Sequence, residues 1–188
     1  MTRLLALLRG VNVSGQRKIP MAELREACTQ AGLASVETYI QSGNVLFSTS
    51  KPAQAAATME KLIRERFGFP VDVVTRTQAQ WSAYVAANPF PQATEQAPSH
   101  VMLLVSQEPP REDALAALSA RATQGEVLAA CADGLVIHYT QGAGRSKLSP
   151  SLIDRLVGSP TTARNWRTVL TLQQRLEAGP SAPAPLVK

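Results

Sequence analysis

The chain is poor in the residues that build covalent or metal frameworks. Its 188 residues include two cysteines, Cys28 and Cys131, and two histidines, His100 and His138. There is no C-x-x-C, and no second ligand stands near either histidine. A disulfide scaffold or a structural zinc site needs more ligands at closer spacing, so neither is expected. Aromatic residues are scarce, at 5%. That argues against an RNA-reading sheet, which stacks bases on strand aromatics; only Tyr39, Phe47 and Tyr139 are available. No apolar run reaches the ~18 residues of a membrane span. The run from Leu4 to Leu8 is cut off by Arg9, too early for a signal peptide. The expectation is a cytoplasmic protein with no membrane partner.

Marks of covalent catalysis are missing too. No Ser-His-Asp or Cys-His pattern points to a nucleophile. No carboxylate pair suggests glycoside chemistry. The sequence names no cofactor and no reaction.

What is present is an ordinary globular composition, 45% hydrophobic and 18% charged, with a net charge of +5. The charge is segregated. Residues 1–98 carry +3, residues 99–140 carry −3, and residues 141–177 carry +4. A basic segment of this kind can face a phosphate, a nucleotide or a nucleic acid, or it can be a solvated helix face.

The pattern of elements predicts two similar halves. Residues 3–8 read as a central strand, followed by a loop over 10–18. A helix runs from Pro20 to about Ala31, with Met21, Leu24, Cys28 and Ala31 on one face. Short strands at 36–40 and 44–48 flank the tight turn Gln41-Ser42-Gly43-Asn44. A helix over 53–67 and a strand over 71–74 complete β-α-β-β-α-β, the ferredoxin-like order. A third helix is expected from Thr77, with Gln80 three residues on as a capping box. The second half reads as a strand at 100–106, a helix after Pro109-Pro110, strands at 126–131 and 135–140 around Asp133-Gly134, and a helix from Ser149-Pro150 to Gly158. The last helix is expected over 163–177, where a final strand would otherwise fall. The fold class is therefore α+β, with two ferredoxin-like halves and an additional C-terminal helix. The expected divisions are 1–87, a Pro-rich linker at 88–99, 100–178, and a disordered tail at 179–188.

Three polar clusters are candidate sites. The first is the loop after the first strand, Arg9 to Lys18, with Arg9, Asn12 and Gly15 as binding residues. Such a loop, leading into a helix, suits an anion. It is neither G-x-G-x-x-G nor a Walker A loop. The second is the turn with Gln41, Ser42 and Asn44. The third is Gly142-Ala143-Gly144-Arg145-Ser146-Lys147 together with the stretch from Thr161 to Thr168. Here Arg145, Lys147, Arg164, Asn165 and Arg167 offer cations and donors beside a glycine-flanked loop. Arg164 and Arg167 are expected to share a helix face.

The segments Leu8-Arg9-Gly10-Val11-Asn12-Val13, Thr38-Tyr39-Ile40-Gln41-Ser42-Gly43-Asn44-Val45 and Thr162-Ala163-Arg164-Asn165-Trp166-Arg167-Thr168-Val169 resemble the signature blocks of the bacterial domain of unknown function 1697 family. The resemblance spans about residues 3–177. It implies an α+β fold of two ferredoxin-like halves and places Arg9, Asn12, Gln41, Ser42, Asn44, Arg145, Lys147, Arg164, Asn165 and Arg167 in the family pattern. It assigns them no reaction. The expected function is binding of, or catalysis on, a phosphorylated small molecule or nucleotide in a basic cleft between the halves. The alternatives are a nucleic-acid-binding module and a protein-interaction or scaffold domain.

Overall fold

A computed structural model describes residues 1–13 and 15–179. The tail expected to be disordered lies, from 180 on, outside the described residues. Backbone contacts divide the chain into two units. Of the described residues, the first comprises 1–13, 15–78 and 174–179; the second comprises 79–173.

The first unit is built on β1 (Thr2–Leu8), which is buried from Leu4 to Leu8. Its partners are β3 (Asn44–Thr49) and β4 (Val73–Thr77), both antiparallel to it, and β2 (Ala34–Tyr39) pairs with β3. The order β2-β3-β1-β4 is the ferredoxin-like sheet. Helices α1 (Met21–Gln30) and α2 (Ala55–Phe67) set Leu24, Cys28, Met59 and Ile63 against Leu4, Ala6, Leu8, Val45 and Phe47. The alternate residues Leu5, Leu7, Leu46 and Val74 are buried as well, so β1 is apolar on both faces and reads as an unbroken hydrophobic run. The chain's last described turn joins this unit through Glu37. Glu37 accepts from Arg3 at 2.7 Å and lies 3.8 Å from Arg175, whose guanidinium sits 4.9 Å above the Tyr39 ring.

The second unit repeats the plan. β5 (Val101–Ser106) lies between β7 (Gly134–Tyr139) and β8 (Thr161–Asn165), and β6 (Glu126–Cys131) flanks β7. Helices α5 (Ala114–Ser119) and α6 (Pro150–Val157) cover Leu104, Leu135, Ile137 and Tyr139. Two further helices pack together within the part of them that belongs to this unit. In α3 (Gln78–Ala86), Trp81 donates its indole N–H to the Val169 carbonyl of α7 (Trp166–Glu177) at 3.1 Å. The Pro-rich stretch forms the short helix α4 (Pro91–Gln96).

Two expected element boundaries are corrected. The final strand of the second half exists: Thr161–Asn165 pairs with β5, with Arg164 opposite Leu103. Its β-branched Thr161 and Thr162 favour a strand, and α7 begins only at Trp166, because the Asn165 carbonyl oxygen Oδ1 accepts the Thr168 amide at 2.9 Å and caps the helix. The strand expected over 71–74 runs instead from Val73 to Thr77, which lies opposite Leu4, while α3 begins at Gln78, the position that a cap at Thr77 implies. Arg164 and Arg167 therefore do not share a helix face.

Candidate functional site

The first two sequence clusters meet at one end of the first sheet. After Leu8 the chain turns outward, and the Leu8 amide donates to the Gly43 carbonyl at 2.8 Å. Gly43 has φ +75°, and a Cβ there would lie 2.7 Å from both Leu8 Cβ and Val11 Cγ2. No other residue fits, which is why glycine stands at this turn. Arg9 is tied to the approach to β4: its amide donates to the Asp72 carbonyl at 3.0 Å, and its guanidinium lies 3.4 Å from the Asp72 carboxylate.

Asn12 is the clamp. Its Oδ1 accepts the Ile19 amide at 2.8 Å, and its Nδ2 donates to the carbonyls of Ile19 at 3.0 Å and Gln41 at 2.7 Å. Asn44, fully buried, donates to the Tyr39 carbonyl and to the Ser42 hydroxyl, both at 3.0 Å. Both asparagines thus spend amide hydrogen bonds on the frame. Between Asn12 and Arg17 the chain makes a miniature hairpin, with Val13 bridged to Gln16 and Gly15 at φ +74°. A Cβ on Gly10 would lie 3.8 Å from the Arg17 Nη1, so this guanidinium lies over Gly10.

The frame leaves Gly15, Gln16, Arg17, Lys18 and Gln41 exposed, with Arg9 half-buried beside them. Among the described residues, Arg17 and Lys18 have no ion-pair partner. The named groups carry three cations against one carboxylate, Asp72. Arg17, Lys18 and Asp72 were not singled out from sequence. The first two lay in the same basic run, but Asp72 is 63 positions from its partner and carries no local signal.

The third cluster divides differently. Ser146 donates its hydroxyl to the Glu126 carboxylate and accepts the Leu148 amide at 3.2 Å. Burial pushes the Glu126 carboxyl up, but the bonds from the Ser146 hydroxyl and the Gln124 amide outweigh it and hold the group below the usual range. The glycine-flanked loop is therefore anchored on an anion, and its serine is not offered to a phosphate. Arg145, Lys147 and Arg167 are exposed. Arg164 is buried, donating to the Thr162 hydroxyl at 2.7 Å and the Ala163 carbonyl at 2.8 Å. Burial lowers its guanidinium to about 10, so it stays charged at neutral pH. Asn165 is the helix cap already described. Two of these five residues thus serve the fold.

The strand aromatics form no exposed stacking row. Phe47 is buried beneath the first pair of helices, Tyr139 is buried on the helix-covered side of the second sheet, and Tyr39 is covered by Arg175.

A family model described as a protein of unknown function (DUF1697) matches residues 1–134. The chain belongs to this family. Two of the three signature blocks fall inside the matched range, and these are the two that Asn12 and Gly43 lock together. The DUF1697 chain is also similar to a solved conserved bacterial protein from Streptococcus pneumoniae. Identity is 27% and the TM-score 0.74, over 93% of this chain and 98% of that one. No curated protein in the comparison matches. No described helix is long and apolar enough to cross a membrane.

Proposed function

We propose that this chain binds an anionic ligand, a phosphorylated small molecule or nucleotide, at the loop end of the first sheet. The observation that carries this reading is a rigid frame presenting uncommitted charge. Asn12, Gly43 and Asn44 fix the backbone, while Arg17 and Lys18 stand exposed with no ion pair among the described residues. The backbone that carries these cations is already ordered, so binding an anion costs only the ordering of the side chains. Arg9, restrained by Asp72, supplies a third charge, and the exposed Gln41 amide supplies a donor that orients the ligand. Chemistry at such a site would rest on electrostatic stabilisation of developing charge.

The test is thermal stability against phosphate, pyrophosphate, sugar phosphates, nucleotides and short nucleic acids, at low salt and about 200 mM salt. A ligand at 100 times its Kd adds about 2.7 kcal/mol. The expected result is a shift with one small phosphate compound that survives salt and is lost in Arg17→Ala. A shift only with polymers, erased by salt, would move the function to nucleic-acid binding. No shift with any anion would overturn the reading.

A further inference from the structure

We infer that the ligand of this site is a nucleotide whose base lies on Val13 and Ile40. The inference rests on the anion-binding reading above and names the other half of the ligand. Ile40 is 49% exposed and has φ +50°. A β-branched residue in the left-handed region is strained, and half of this side chain gains nothing from burial. This backbone does not need a branched side chain: in the shorter turn after β6, Ala132 takes φ +49°. Strain that burial repays only in part points to contact with something else.

Val13 is 59% exposed and stands on the adjacent loop. Each of the two aliphatic residues is one position from the Asn12–Gln41 hydrogen bond, so both rest on the same fixed piece of backbone. Arg17 and Lys18 follow in the Val13 hairpin. A molecule with one anionic end and one flat apolar end matches this arrangement. Its phosphates meet the cations, and its base packs on the aliphatic pair by dispersion. The exposed primary amides of Gln16 and Gln41 each both donate and accept, as the edge of a base requires.

The experiment compares pyrophosphate, ribose 5-phosphate, adenosine and adenosine diphosphate by calorimetric titration at constant ionic strength. Adenosine diphosphate is expected to bind at least about tenfold tighter than pyrophosphate. Ile40→Gly should remove that excess, leave pyrophosphate affinity unchanged and raise Tm, because glycine adopts φ +50° without strain. Ile40→Asn, which also tolerates this backbone, should behave the same way. Arg17→Ala should weaken both ligands. Equal binding of pyrophosphate and adenosine diphosphate would overturn the base contact and leave the anion site standing. So would an excess that persists in both Ile40 variants. Failure of every phosphate to bind the folded wild-type chain would instead remove the anion site itself.

Discussion

Asn12 holds Gln41 across 29 positions of sequence, through a 2.7 Å hydrogen bond from its side-chain amide to the Gln41 carbonyl. The same side chain closes the loop onto Ile19 from both sides, accepting from its amide and donating to its carbonyl. One residue therefore sets the position of two loops and of the charges they carry. Asn12 also has φ +55°, where asparagine is tolerated better than most side chains. Asn12→Ala loses three hydrogen bonds and adds backbone strain. The expected loss is about 2–4 kcal/mol. Urea unfolding measures this, and ligand affinity should fall in the same variant because the loops separate.

Gly43 and Gly32 allow conformation and space to be separated. Both have positive φ, +75° and +84°. A Cβ at Gly32 would meet nothing within 4 Å, whereas at Gly43 it would strike Leu8 and Val11. Gly32→Ala should cost about 1–2 kcal/mol, the left-handed penalty alone. Gly43→Ala should cost at least about 1 kcal/mol more, since Leu8 is in the core and cannot yield cheaply. Equal losses in denaturant titrations would show that the turn can shift to relieve the clash.

Arg164 is a fold residue by its surroundings, while Arg145 and Arg167 are surface residues. Removing Arg164 strips hydrogen bonds from Thr162 and the Ala163 carbonyl and leaves a hole on β8. Arg164→Ala should destabilise by about 2–4 kcal/mol. Arg145→Ala and Arg167→Ala should stay within about 0.5 kcal/mol of wild type. Thermal melts of the three variants distinguish these expectations.

The contrast shows what the sequence could and could not disclose. Apolar runs and periodicity, Gly43 in its turn and Asp133-Gly134 mark the β-α-β-β-α-β order in the first half and the first five elements of the second, because turn chemistry and periodicity are local. Strand β8 was hidden because it runs into α7 without a glycine or proline between them. The basic periodicity of Arg164 and Arg167 then mimicked a helix face. At the site, the residue types were legible and their commitments were not. Nothing local tells that Asn12 turns its amide to Gln41, 29 positions on, or that Ser146 donates to Glu126, 20 positions earlier. Those are consequences of packing.

Both cysteines are closed to solvent, Cys28 in the core of the first unit and Cys131 at the end of β6. Burial pushes the Cys28 thiol up to about 12. Burial, with the charge of Asp133 added, takes Cys131 to about 11. The thiolate is the reactive form, so neither residue should react with a disulfide reagent in the native state at neutral pH. Labelling in increasing urea should follow the unfolding transition, and fast labelling without denaturant would refute the burial.

Glu126 makes stability depend on acid. Its carboxyl lies below the usual range in the folded chain, since the Ser146 hydroxyl and the Gln124 amide both donate to the charged form. A group with a lowered folded pKa binds fewer protons when native than when unfolded. Its contribution is then complete above the unfolded value of 4.5 and is lost as pH falls through the folded value. The register places Tyr139 opposite Glu126, and its phenol is pushed up by burial and by that carboxylate, so it stays neutral throughout this window. Glu126→Gln keeps the shape and an acceptor for Ser146 but removes the charge. The stability gap between wild type and variant should be widest near about pH 7 and should close toward about pH 3. Ser146→Ala should narrow the gap at neutral pH, because it takes away the strongest donor to the carboxylate. A gap that is constant with pH would mean that the loop is held by packing around Leu148 and not by the charged pair.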